Sequence, residues 1–443
     1  MSETQDDSQN RFGPFPGRPV ITPLSVRDPI GTQGLDARPP FGLDGAAFMK
    51  PVRNRSMSSR PSPQAVAAGL IAAFVGFGGA FTVVVRGLSA AGASPAEVAS
   101  GLMAVTIAMG FSGILLSLRF RMPISVAWST PGAALLASSG AVAGGYSYAV
   151  GAFLITGALL MLSGVIKPLG RAVAAIPTPI ASAMLAGVLL TLCLAPVKAV
   201  AVSPVTGLAV VLTWLAVGLW RKVLAVPAAV VVAAVIIAMT TPIPETVTEG
   251  LIPAPLLIAP HFSLAALIGT ALPLYVVTMA AQNIPGMAVL NANDYRPEFG
   301  PILRNTGAFT LLAVPFGGHA VNLAAITAAL CAGPDADPDR DNRYWAAVIC
   351  GIAYVLVGLV SGAATAFIAA APPVLIEAVA GLALLGAFGA STSTALSAPA
   401  TREAAVVTFL VTASGVGFLG IPGAFWGLIA GIVVHLINRA RVA

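Results

Sequence analysis

From about residue 63 to the C-terminus, long apolar blocks alternate with short polar or proline-rich breaks. A helix crossing the hydrocarbon of a bilayer needs about 20 apolar residues, and the blocks suit that length. They predict spans over 66–86, 95–118, 124–141, 146–166, 177–196, 203–219 and 223–240. A hydrophilic connection with Glu245 and Glu249 follows, and further spans are predicted over 263–290, 302–314, 317–332, 344–367, 373–390, 403–418 and 420–438. The expected fold is an all-α polytopic membrane protein of 14 transmembrane segments, seven on each side of the connection.

An odd number of spans per half turns the second half over relative to the first. The expected organisation is a 7+7 inverted repeat, residues 63–242 forming the first repeat and 243–443 the second. Residues 1–62 are rich in Pro, Gly, Asp, Ser and Arg and read as a disordered cytoplasmic tail. No apolar core of signal length follows the early charges, so no signal peptide is expected there.

Composition supports the same picture. Apolar residues make up 57% of the chain and charged residues 9%, where soluble domains carry roughly 25% charged. Lipid must cover most of such a surface. The formal charge of +6 would suggest a nucleic-acid partner only if its placement were ignored. With a cytoplasmic N-terminus, the internal edges of the predicted spans hold Arg53, Arg55, Arg60, Arg119, Arg121, Lys167, Arg171, Arg221, Lys222, Arg296, Arg304, Arg340, Arg343, Arg402, Arg439 and Arg441. The external edges hold only Arg86 and Lys198. That asymmetry follows the positive-inside rule and places both termini in the cytoplasm of a cell whose inner membrane the chain would span. Cys193, Cys331 and Cys350 form no CxxC or Cys/His pattern. They read as small core residues, not as a metal or redox site.

Two spans are interrupted at matching places. The third has Pro123 at its start and Pro131-Gly132 in its middle, and the stretch Ile124–Trp128 is alternating and β-branched, more strand-like than helical. A helix can begin at Pro131 with Ser129 or Thr130 as its cap. The tenth has Pro315 at its start and Gly317-Gly318 before its helical part. Such paired interruptions in inverted halves point to a transporter's solute site. Non-helical backbone is tolerated at membrane depth only where it is buried or lines a cavity. Two facing half-helix starts favour an anion, particularly a carboxylate. The alternative is a pair of proline kinks in ordinary packing helices.

Polar residues inside apolar blocks are costly and mark cavities or partners. In the eighth span Gln282 and Asn283 precede Pro285-Gly286, with a looser counterpart in Gly76, Gly78 and Gly79 of the first. Gln282 can orient a bound carboxylate, and Asn283 either contacts solute or caps a helix broken at Pro285. His319 either takes up a proton during transport or is a neutral ring donating to a backbone carbonyl beside the break. Asn322 either bonds substrate or satisfies the loop. Glu377, a turn from Pro372-Pro373, is either interfacial or a proton relay. Trp128, Tyr275, Phe316 and Phe388 are candidate walls for a flat ring. The stretch "GPDADPDRDNRYW" lacks the glycine and terminal glutamate of an EF-hand and reads as a solvated cytoplasmic loop. Small-residue patterns around Gly151–Gly164 and Gly415–Gly431 suit close helix packing, and a homodimer is among the expected partners.

The segments "AWSTPGAALL", "TMAAQNIPGMAVL" and "FGGHAVNLAAITAALCAGPDADPD" resemble the benzoate–proton symporter family, and the resemblance runs from about residue 62 to the C-terminus. It implies the inverted-repeat fold of uracil permeases and sulfate-type anion transporters, with a core domain (spans 1–4 and 8–11) moving against a gate domain (spans 5–7 and 12–14). It implies uptake of benzoate or a close aromatic carboxylate with a proton. The site residues it implies are Ser129, Thr130, Gln282, Asn283, Gly318, His319 and Asn322. The deep acidic residues of uracil-permease relatives are missing, which fits an anionic substrate. The alternatives are a symporter or exchanger for another small anion or a nucleobase, and an anion channel. No HExxH, paired aspartates or Gly-x-Ser-x-Gly element is present, so neither an enzyme nor a bound cofactor or metal is expected.

Overall fold

A computed structural model describes residues 60–166, 168, 175–240, 252–419 and 421–442. The tail up to residue 59, Lys167, Arg171, and the connection holding Glu245 and Glu249 lie outside the described residues. Helices dominate: α1 Pro63–Gly78, α2 Phe81–Ala90, α3 Pro95–Phe120, α4 Thr130–Ser139, α5 Tyr146–Ser163, α6 Thr178–Cys193, α7 Ala195–Val202, α8 Pro204–Trp220 and α9 Ala225–Thr240. A helical rod α10, Leu264–Ala292, leads to α11 Phe299–Ala313, α12 Ile326–Ala332, α13 Tyr344–Leu359, α14 Gly362–Ala370, α15 Pro373–Leu396, α16 Arg402–Ala413 and α17 Gly423–Val442. Among the described residues, nine helices are long and apolar enough to cross a membrane.

The starts were written in the chain. Ser62-Pro63 and Ser94-Pro95 pair a capping hydroxyl with a proline at the first helical position, where its missing N–H costs nothing. Ser94 and Glu97 complete a capping box. Buried hydroxyls in mid-helix are satisfied locally, as where Thr106 donates to Leu102 O (2.5 Å) and Thr306 to Ile302 O (3.1 Å).

The fold is helical apart from one short ribbon, in which β1 Val126–Trp128, where a strand was expected, and β2 Val321–Leu323 pair antiparallel, with Ala127 opposite Asn322. The tenth segment therefore turns helical only at Ile326, well beyond Gly317-Gly318. Two expectations are corrected. The eighth span is not broken at Pro285. It runs through as one rod, with wide π-turns at Leu267–Ala271 and Met279–Asn283. Each π-turn lies one turn before a proline, Pro273 and Pro285, whose ring would otherwise clash with the carbonyl four residues back. The wider turn makes room for it. The acidic loop is not simply solvated: Asp337 is buried and accepts from Ser62 Oγ (2.5 Å), and Arg343 donates to the carbonyls of Asp337 and Ala332.

By packing, the helices fall into two sets. α1–α5 and α10–α14 pack on one another, chiefly α3 and α1 on α13, α5 on α11 and α2 on α4. α6–α9 and α15–α17 form the other set, chiefly α15 and α16 on α6, α16 on α17, and α8 on α9. Gly157 and Gly164 of α5 meet Thr310 and Gly300, and Gly427 and Gly431 of α17 meet Thr412 and Thr408. The predicted small-residue stripes thus pack inside the chain.

Candidate functional site

The two interrupted segments cross inside the first set. Ser129 N–H donates to Ala320 O (2.8 Å) and Ala324 N–H to Ser125 O (3.0 Å). Antiparallel ladders alternate inward and outward pairs, so the N–H groups of Val321 and Leu323 point out of this two-stranded ribbon. Both are buried, so each needs a partner within the protein. Side chains provide it. Thr310 Oγ1, itself donating to Thr306 O, accepts from Val321 N (2.9 Å), and Asn283 Oδ1 accepts from Leu323 N (3.0 Å).

Ser129 is the cap of α4, its Oγ accepting from Gly132 N (3.1 Å) and bonded to Thr278 Oγ1 (2.8 Å). With Pro131 lacking an N–H, the start of α4 keeps few free donors. Thr130, half-buried, opens the helix. The start of α12 has no side-chain cap. His319 ties the two breaks together: its Nε2 lies 3.1 Å from Ser129 O. A carbonyl only accepts, so Nε2 carries the proton and Nδ1 presents a lone pair. That atom and Asn322 Oδ1 are buried without a hydrogen-bond partner, while Asn322 Nδ2 donates to Leu323 O (2.7 Å).

Gln282 is half-buried and makes no hydrogen bond among the described residues. The end of α10 packs on α12, and Ile284 and Ile326 on those two helices are exposed. Gln282 is itself partly accessible, on a different side of α10 from Ile284. Gly318 is buried, its N–H donating to Ala313 O (3.1 Å), and the preceding Gly317 takes φ +86°, a left-handed turn that favours glycine.

The aromatic candidates do not share one pocket. Trp128 is buried against Phe77 (5.5 Å between ring centroids), which stacks on Phe81 where α1 gives way to α2. The Tyr275 hydroxyl bonds Ser163 of α5. Phe316 lines an apolar groove with Met103, Ile107 and Phe309 that none of the other candidates lines. Phe388 is half-buried in α15 of the second set. Glu377, also in α15, is paired with Arg86 of α2. Sequence reasoning missed Thr278, which bonds the capping Ser129, and Thr310, which serves β2, because a threonine in an apolar helix carries no mark of the distant group it meets.

Broken segments crossing inside a bundle of apolar helices define a membrane transporter fold, the class in which interrupted spans build the solute site. Solved structures agree on that fold. The chain is similar to murine Slc26a9, an anion transporter in the inward-facing state (TM-score 0.55, 13% identity, 86% of this chain and 68% of that one). It is also similar to the transmembrane domain of the cyanobacterial bicarbonate transporter BicA (TM-score 0.50, 15% identity, 85% and 96%). Among proteins of known sequence it is 40% identical to the inner membrane protein YdcO of Escherichia coli, over 85% of this chain and 96% of that one. It is 32% identical to the benzoate membrane transport protein of Acinetobacter baylyi, over 85% and 95%. The model of the benzoate membrane transport protein family matches residues 59–437. The chain belongs to that family and is a membrane transporter.

Proposed function

We propose that the protein imports benzoate or a closely related aromatic carboxylate together with protons, by alternating access across the cell's inner membrane. The observation that carries this reading is the crossing of β1–α4 and β2–α12 in a chain of this family, with a half-buried Gln282 amide that has no hydrogen-bond partner among the described residues. The carboxylate rests near the starts of α4 and α12, where a helix terminus favours an anion by about 0.3–1 kcal/mol, up to ~2 when partly buried. Gln282 supplies a side-chain donor. The His319 Nδ1 lone pair is the candidate proton acceptor at this depth, and Glu377 the candidate nearer one end of the bundle.

The finer architecture belongs to the same proposal. Fourteen spans form a 7+7 inverted repeat over 63–242 and 243–443, preceded by a cytoplasmic tail over 1–62, with both termini cytoplasmic and homodimers as the assembly. The first packing set is the core and the second the gate. Proton coupling has a physical motive. A monoanion entering alone against 100 mV, interior negative, works against about 2.3 kcal/mol, roughly a fifty-fold loss of accumulation, which one accompanying proton cancels.

Binding of labelled benzoate to the purified protein tests the site. It is expected to be competed by hydroxybenzoates, to be indifferent to bicarbonate and uracil, and to weaken in Gln282→Ala. Equal competition by an inorganic anion would support the alternative substrate class. Conductance far above roughly 10³ s⁻¹, the upper end of common turnover numbers, would support a channel.

A further inference from the structure

The two packing sets differ in how they are joined. Within a set, backbones interlock at glycine: a Cβ on Gly110 would meet the Gly351 carbonyl, one on Gly87 that of Ala133, and one on Gly381 that of Leu192. Between the sets, among the described glycines, only Gly269 against Pro422 makes a contact of this kind. Interlocked backbones cannot slide, whereas a boundary made of side chains can. One ion pair between described residues crosses that boundary, from Arg86 near the end of α2 to Glu377 in the first turns of α15.

A cavity of about 250 Å³ opens between the same two sets, with Ser138 and Gly140 of the α4 end, Thr191 of α6 and Gly423 of α17 in its lining. The turn after α2 lies against the start of α5, to which the short loop from the α4 end leads, since a Cβ on Gly92 would approach Gly145 and the Tyr146 amide. Cavity and ion pair thus share one end of the bundle. The paired side chains are 41% and 38% exposed, so water competes with the pair and lets it part at low cost.

We propose that Arg86 and Glu377 form a latch that holds the two helix sets together at this mouth and releases during each transport cycle. Released, Arg86 faces the mouth as an unpaired cation, the sign that draws in a carboxylate. The latch rests on the alternating-access reading above, and its test is arranged so that the two can fail separately.

The first readout needs no substrate. A cysteine at Ser138, in protein whose three native cysteines are replaced by alanine, is labelled with a membrane-impermeant maleimide from either side. Arg86→Gln and Glu377→Gln should each change the labelling rate by up to about fivefold, the range of an exposed pair. The exchange Arg86→Glu with Glu377→Arg should restore it. Identical rates in all four proteins would overturn the latch. The second readout joins Arg86→Cys to Glu377→Cys with a short bis-methanethiosulfonate. Bridging should arrest uptake reversibly relative to the same double variant before treatment, while the reagent leaves each single-cysteine variant at its own untreated rate. Bridged protein transporting at full rate would overturn the latch as well. Absence of benzoate uptake by the unaltered protein counts against the transport reading alone.

Discussion

Replacing Asn283 by alanine should loosen the second broken segment before it does anything to substrate affinity. Its Oδ1 is the acceptor for Leu323 N–H at 3.0 Å, and both residues are buried. Truncation leaves that amide without a partner in an environment where none can be recruited, a cost of about 1–3 kcal/mol. If the cost falls on β2 alone, its open population rises roughly 5- to 150-fold. Thr310→Val is the matched perturbation, because it deletes the acceptor for Val321 N–H (2.9 Å) at nearly constant volume and on a different helix. Hydrogen exchange on a peptide covering 321–324 should accelerate by that factor in both variants. Proteoliposome uptake should show a lower maximal rate in both, with KM little changed. A variant in which Asn283→Ala raises KM while exchange stays at the wild-type rate would refute the reasoning and make Asn283 a substrate contact.

Two further outcomes follow from the same geometry. Gly101→Ala places a methyl on the carbonyl of Gly317, and overpacking of this kind costs about 1–3 kcal/mol; a thermal-stability assay in detergent should show the loss, and unchanged stability would mean the left-handed turn at Gly317 can shift. His319→Ala removes the Nε2 link to Ser129 O (3.1 Å) together with the unpartnered Nδ1, so uptake driven by a pH gradient should fail while expression is retained. Intact gradient-driven uptake in that variant would exclude His319 from coupling.

Much of this arrangement was legible in the chain, for reasons that are local. Pro123 and Pro315 bar regular helix where they stand, the alternation over Ile124–Trp128 marks a strand, and Ser129 ahead of Pro131 marks a capped start. β1, the Ser129 cap and α4 followed from those signals. The pairing of β1 with β2 did not, because register between segments almost 200 residues apart depends on packing that no local pattern encodes. Pro285-Gly286 misled in the other direction: a proline predicts a break, but a π-turn absorbs the ring and α10 continues. Tyr275 and Trp128 look like pocket walls in sequence because an aromatic residue has the same signature in a core as in a cavity. Only the Ser163 hydroxyl and the Phe77 ring distinguish the two here.

Coupled transport of an aromatic carboxylate can be measured directly. Purified protein in liposomes with labelled benzoate outside and an alkaline interior should take the label up faster and further than without the gradient, saturably and in competition with unlabelled benzoate. Collapsing the pH gradient should abolish the accumulation. Uptake indifferent to the gradient would contradict proton coupling, and absence of saturable benzoate uptake under any gradient would contradict the proposed substrate.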